Sequence, residues 1–365
     1  MRVAQRHAAR LLVVLLAFAL VGTACGSSSK KSDATSDGST STTAASGVDY
    51  SKLSGTINGS GSSFADALYQ AEISALADKA PNLTVNYNAV GSGQGKKDFA
   101  AKLNDFAGTD SLVKDTEAPA GSYLYFPTAG APITVSYNIS GVDKLQLSPA
   151  TLAGIFQGTI KTWNDPAIKA DNASATLPST PIVVVHRADG SGTTSAFTKY
   201  LAKAAPTVFT LAPGDTVAWP ASFQAGNKNT GVAQIVKSTA GAIGYVDFAD
   251  AVASKLVFAS IKNKSGSFVA PTLDGASAAM AGATVAENLT MDALDASGAT
   301  AYPITAVTYI LLRPTYDTKL GPPVKGFVSF VLTDGQAEEA KANYAKLPSD
   351  LASKAVAQLD KVTVS

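Results

Sequence analysis

The sequence predicts an α/β protein with length enough for two globular domains, and three features of the 365-residue chain bear on that reading. From about Leu53 onward, short β-rich runs alternate with amphipathic helical stretches, the pattern of strands covered by helices. The run Ile182-Val183-Val184-Val185 is continuous and apolar, as in a strand buried on both faces. Two extended segments, Pro132 to Asn138 and Pro303 to Leu312, are candidate crossings between lobes. With 46 % of its residues apolar and 16 % charged, the chain can fill two cores.

The N-terminal segment reads as an export signal. Arg2, Arg6 and Arg10 precede an apolar run from Leu11 to Val21 that is too short to span a bilayer. It ends in Val21-Gly22-Thr23-Ala24-Cys25, which resembles a bacterial lipobox, with cleavage before Cys25 and lipid on its sulfur; Gly22 departs from the usual leucine. Gly26 to Gly47 is Ser, Thr, Ala, Gly, Lys and Asp with no apolar period, a flexible tether. The expected organisation is a signal peptide over 1–24, a lipidated cysteine and tether over 25–52, one lobe from 53–131 with 306–365, and a second lobe from 132–305. Without the three leader arginines, 26 of 29 basic residues remain against 28 acidic ones, a net charge of −2. That balance fits neither nucleic acid nor a polybasic membrane surface. One cysteine excludes an internal disulfide, and outside the leader His186 is the only histidine, so zinc chemistry has no ligand set.

Four turns rich in small residues carry the functional signal. In Gly59-Ser60-Gly61-Ser62-Ser63-Phe64, Ser63 is a natural N-cap for a helix carrying Phe64, Leu68, Ala71 and Ala75. A capped helix start leaves backbone N–H groups that attract anions. Phe64 stands where a dinucleotide fingerprint needs its third glycine. After the alternating strand Leu83 to Tyr87, Gly91-Ser92-Gly93-Gln94-Gly95-Lys96-Lys97 opens a helix with Phe99 and Leu103. Its spacing fails as a P-loop: Val90 replaces the first glycine, and Lys97 the magnesium-ligating hydroxyl. The third element, Asn104 to Asp110, is an apolar-centred run that ends in a carboxylate.

The fourth, His186-Arg187-Ala188-Asp189-Gly190-Ser191-Gly192-Thr193-Thr194-Ser195, is the most specific. It places a guanidinium, a carboxylate and several donors between the buried strand and a helix with Phe197, Tyr200, Leu201 and Ala204 on one face. The planar fork of Arg187 suits a tetrahedral oxyanion, Asp189 could hold that fork, and Ser191, Gly192 and Thr193 would add donors at the helix start. Ser191 is a poor nucleophile elbow, because Asp189 occupies the position of the first required glycine. His186 falls on the opposite strand face from Arg187.

In this order, Gly59-x-Gly61-x-Ser63-Phe64, Gly91-Ser92-Gly93, Asp105-Phe106-x-Gly108-x-Asp110 and Arg187-Ala188-Asp189-Gly190-Ser191-Gly192-Thr193 resemble the phosphate-binding proteins of the Pst-type ABC importer. Val217-Ala218-Trp219-Pro220, Gly241 to Val246 and Tyr302-Pro303-Ile304-Thr305 extend the similarity, which spans roughly Gly55 to Leu347. The resemblance implies a type II periplasmic-binding-protein-like fold closing around one phosphate, with the first lobe also collecting the C-terminal segment. The implied ligands are Ser63, the Phe64 backbone, Ser92, Asp110, Arg187, Ser191, Gly192 and Thr193, with Asp189 paired to Arg187. No cofactor, metal or catalytic residue is implied. The implied partners are inorganic phosphate and the membrane permease and ATPase subunits of the importer, met by a lipid-anchored monomer on the extracytoplasmic face of the bacterial cell membrane.

An acidic residue in an anion site is costly unless the ligand brings a proton, since an ionised Asp110 can only accept hydrogen bonds. Hydrogen phosphate brings one and sulfate does not, so Asp110 is expected to exclude sulfate. The rival readings are a phosphatase-like hydrolase, which needs a nucleophile beside a base or a metal-activated water, a binding protein for another oxyanion, and a surface sensor.

Overall fold

Fourteen consecutive residues, Leu124–Tyr137, form one strand, and all but the first are buried. Apolar and β-branched side chains on both faces suit a strand with protein on either side. In the structure, a computed structural model that describes residues 47–365, this strand joins two halves of one sheet. The sheet comprises β1 (Ser54–Gly61), β2 (Asn82–Asn88), β3 (Phe106–Thr109), β4 (Leu124–Tyr137), β5 (Val183–Arg187), β6 (Gln224–Gly226), β7 (Ala242–Asp247), β8 (Val257–Phe258) and β9 (Thr305–Leu312). Its order is β2-β1-β3-β9-β4-β7-β5-β6, with β8 alongside the end of β4.

The register of β4 changes partner in mid-strand. From Leu124 to Pro132 it pairs antiparallel with β9, and from Ile133 to Tyr137 with β7. One half of the sheet ends in the parallel trio β2-β1-β3, the other in the parallel trio β7-β5-β6. The result is a two-lobed α/β fold. The chain leaves the first half after Pro132 and re-enters it through β9.

The helices that place the candidate site are α1 (Asp66–Ala77), α2 (Ser92–Ala100), α3 (Pro149–Gln157), α4 (Gly192–Ala204), α5 (Lys228–Ser238) and α6 (Gly321–Leu332). In β5 the side chains alternate between two cores. Val184 joins the large one, while Val185 packs with Val232, Val236 and Val246, so both sheet faces are covered. Helix α6 returns the C-terminal segment to β1. Its Gly326 lies so close that an added Cβ would sit 2.4 Å from Leu53 Cδ1.

Three sequence expectations are adjusted. The folded body begins before Leu53, because Tyr50 is buried and sets its ring edge-on to Phe330 at 5.5 Å, so residues 48–52 are not tether. Ser63 does not cap α1. Ser62 Oγ accepts from the Ala65 amide at 3.1 Å, closing a turn of its own, and α1 starts at Asp66. The buried stripe of α1 therefore falls on Leu68, Tyr69, Glu72 and Leu76, with Ala71 and Ala75 only half-buried. The predicted signal segment, Cys25 and the tether up to residue 46 lie outside the described residues. No helix among the described residues is long and apolar enough to cross a membrane.

That shift puts Glu72 in the core. It and Glu339 are fully buried, and none of their four carboxyl oxygens has a hydrogen-bond partner among the described residues. Burial, and next the proximity of Glu339, push the Glu72 carboxyl well above its usual range; burial raises Glu339 to about 8. Both acids are therefore protonated in the folded protein near neutrality and ionised in the unfolded chain. Their contribution is fully present below the ordinary glutamate value and is lost as pH rises towards and through the folded values. Stability measured by urea unfolding is expected to fall by a few kcal/mol between about pH 5 and pH 9. Glu72→Gln is expected to remove much of that fall; an unchanged pH profile in the variant would contradict this account.

Candidate anion-binding site

The carboxyl ends of the parallel strands converge on one place, the position where open α/β sheets hold ligands. β1 ends at Gly61 and delivers Ser62, Ser63 and Phe64; β3 ends at Thr109 and delivers Asp110; β2 leads to Gly91 and Ser92; β5 ends on Arg187 itself. At the centre is the buried Asp110. Ser62 Oγ donates to its two oxygens at 2.6 and 2.7 Å, and Ser92 Oγ to Oδ2 at 3.2 Å. Burial pushes the Asp110 carboxyl up to about 6, against the opposing pull of these hydroxyls and of the Arg187 charge.

The turn after β5 meets the turn after β2 directly. The Gly93 amide donates to the Gly190 carbonyl at 3.0 Å. Gly91 has φ +91°, and a Cβ there would lie 2.5 Å from Asp189 Oδ2, so glycine is required for both conformation and clearance. A Cβ on Gly192 would lie 2.6 Å from both Asp110 Oδ2 and Ser92 Oγ, which places the start of α4 against the carboxylate. Ser191 caps α4 by accepting the Thr194 amide at 3.1 Å, and its own amide is taken by the Asp215 carbonyl at 2.9 Å. The Ser191 hydroxyl hydrogen is thereby left for a ligand. The amides of Gly192 and Thr193 have no intrahelical acceptor.

Arg187 is buried, and its Nε donates to Asp189 Oδ1 at 2.8 Å while Nη2 engages Oδ2. Two of its five N–H donors are thus spent on orientation. Burial alone would raise Asp189, but the Arg187 bonds and the Lys228 amide, 2.9 Å from Oδ1, hold it below the usual carboxylate range. Phe64 is buried, with its carbonyl accepting from the Tyr344 hydroxyl. His186 lies away from this cluster. Its Nδ1 donates to the Arg187 carbonyl at 2.8 Å, its ring stacks on Trp219, and burial lowers its pKa.

The PBP superfamily domain matches residues 30–335. Phosphate-binding protein PstS of Pasteurella multocida is 36 % identical over 309 residues, which cover 83 % of this chain and 89 % of that protein. The chain belongs to the PstS phosphate-binding protein family. Phosphate-binding protein PstS 3 of Mycobacterium tuberculosis is 34 % identical over 360 residues, 93 % of this chain and 95 % of its own. Among solved structures, a high-affinity periplasmic phosphate-binding protein with phosphate bound superposes with a TM-score of 0.69 at 25 % identity, covering 83 % of this chain and 94 % of that one.

In this PstS-family chain, contacts among the described residues bring the turns carrying Ser63, Ser92, Asp110, Arg187, Asp189, Ser191, Gly192 and Thr193 into one cluster. Sequence reasoning missed three further members. Ser62 donates its hydroxyl to Asp110 at 2.6 Å. Asn229 is fully buried and its Nδ2 spans the cleft, 3.4 Å from Ser63 Oγ and 3.2 Å from Thr193 Oγ1. Tyr245 donates order to the arginine strand: its hydroxyl accepts the Arg187 amide at 3.0 Å and lies 2.7 Å from Thr194 Oγ1. Adjacent serines cannot be told apart before the turn geometry is known. Asn229 stands 36 residues from Thr193 and Tyr245 58 from Arg187; the Gly241 to Val246 run includes Tyr245 but does not show its contact with Arg187, and nothing local marks Asn229.

Proposed function

We propose that this chain captures inorganic phosphate as hydrogen phosphate and delivers it to the permease and ATPase subunits of an ABC importer. The observation that carries the reading is a single buried carboxylate, Asp110, set among hydrogen-bond donors from both halves of the sheet, in a member of the PstS family. Ser63, the Phe64 amide, Arg187, Ser191, Gly192 and Thr193 would donate to the phosphate oxygens, with Ser92 adding its backbone amide at the start of α2, since its one hydroxyl hydrogen goes to Asp110. Asp110 would accept the phosphate proton, with Asp189 holding the Arg187 fork. Removing the Asp110 acceptor would abolish the exclusion of sulfate. The protein acts by binding and not by catalysis, in keeping with a His186 whose ring is engaged by a carbonyl and by Trp219.

Because donors come from both lobes, phosphate would bind the closed form better and shift the population towards it. The importer would then read the closed shape. Residues 1–24 would direct export and lipid on Cys25 would tether a monomer at the extracytoplasmic face of the membrane, a reading that rests on the residue pattern there. Uptake of labelled phosphate by cells lacking their own binding protein tests the transport role. Restoration by the wild-type chain but not by Arg187→Met is the expected result; no uptake from an exported, folded wild-type chain would overturn it.

A further inference from the structure

Lys96, on α2, is buried, its side chain only 1 % exposed. It does not touch the proposed phosphate ligands. Its Nζ lies 2.9 Å from Glu117 Oε2 and 2.9 Å from Asp215 Oδ2, and 3.3 Å from the Leu112 carbonyl. Glu117 and Leu112 belong to the same half of the fold, between β3 and β4. Asp215 does not: it lies between α4 and β6, in the half that contributes Arg187. The pair therefore spans the cleft.

Asp215 makes two further contacts that bracket the site. Ser111 Oγ, on the residue next to Asp110, donates to Asp215 Oδ2 at 3.0 Å. The Asp215 carbonyl accepts the Ser191 amide at 2.9 Å. One residue thus holds the neighbour of the proton acceptor on one lobe and the backbone of a proposed hydroxyl donor on the other.

We propose that Asp215 is a closure clasp, a positioning residue that slows phosphate release without touching phosphate. The inference rests on the phosphate reading above. When the lobes part, Lys96 keeps Glu117, and both Lys96 and Asp215 regain water, so the open form loses little by the separation. In the closed form the Lys96–Asp215 pair is shielded from solvent, where removing one charge of a hydrogen-bonded pair acts mainly on the dissociation rate. The clasp is made only after phosphate has met the first lobe. Its loss should therefore leave the association rate alone.

The test is stopped-flow binding of inorganic phosphate to the folded wild-type chain and to Asp215→Asn, with Asp215→Glu as the variant that restores charge. Asp215→Asn removes the charge while keeping the side-chain volume. The expected result is an association rate within twofold of wild type, a dissociation rate raised about tenfold, an unchanged Tm without phosphate, and partial recovery in Asp215→Glu. A dissociation rate equal to wild type would overturn the proposal. So would a fall in Tm matched by a slower association rate, which would make Asp215 a fold-maintaining residue of its own lobe. No phosphate binding by the wild-type chain would instead sink the underlying reading, and the clasp with it; the wild-type trace alone identifies that case.

Discussion

Asp110→Asn is expected to bind sulfate, and the wild-type chain at neutral pH is expected to reject it relative to phosphate by a factor on the order of 10⁴ to 10⁵. The reason is an unmatched acceptor. Asp110 already receives the Ser62 and Ser92 hydroxyls, and as a carboxylate it has lone pairs for one more donor but no hydrogen to give. Hydrogen phosphate supplies that hydrogen. Sulfate would face it oxygen to oxygen in a site from which water is excluded, a buried repulsion that no hydroxyl rotation cures. The asparagine amide offers N–H donors in the same volume. Acidification should imitate the substitution. Because burial holds the Asp110 carboxyl up to about 6 in the unliganded protein, it carries its own proton below that value and becomes a donor. Exclusion of sulfate should therefore weaken as pH falls through about 6 and be strongest above it. Calorimetry with sulfate at pH 5 and pH 8 checks both arms. Undetectable sulfate binding in Asp110→Asn at every pH would remove Asp110 from this role.

Arg187→Met is expected to weaken phosphate binding by about 2–5 kcal/mol, roughly 30-fold to several thousandfold. Arg187 is buried, and its orientation is fixed three times: by Asp189 at the guanidinium, by Tyr245 at the amide, and through the Lys228 amide that steadies Asp189. A pre-set planar fork gives up little rotamer entropy on binding a tetrahedral anion. Methionine keeps the bulk of the stem but deletes the charge and leaves Asp189 without its cation. Arg187→Lys should recover only part of the loss, since an ammonium cannot make the paired bonds to Asp189 and ligand together. Asp189→Asn should lie between wild type and Arg187→Met, because the fork survives but loses its anchor. Equal phosphate affinity in Arg187→Met and wild type would contradict the assignment.

How much of this was legible in the sequence depends on whether the determining contact was local. The strand Val183–Arg187 and helix Gly192–Ala204 announce themselves by an apolar run, a glycine-rich turn and an amphipathic stripe, all within about twenty residues. The Arg187–Asp189 pair is likewise a two-residue matter. The start of α1 is not legible because neither serine caps it: Ser62 closes a separate turn on the Ala65 amide, and the helix begins at Asp66 with no side-chain cap. The apolar pattern keeps Leu68 but favours Ala71 and Ala75 over Glu72 and Leu76, because the charge of Glu72 argues for the surface on pattern alone. Asn229, Tyr245 and the Lys96–Asp215 pair are long-range contacts made by residue types that are ordinarily solvated or ordinarily core. Their roles follow only from which strand ends the sheet brings together. The double pairing of β4 is of the same kind: a fourteen-residue run can be read as a strand, but not the point at which it exchanges one partner for another.

The most direct test is calorimetric titration of the domain beginning at Val48, freed of bound anion, with inorganic phosphate at neutral pH. The account predicts tight one-to-one binding to the wild-type protein, lost by at least an order of magnitude in Arg187→Met. A correctly folded wild-type domain that takes up no phosphate would contradict it and return the cleft to a different ligand.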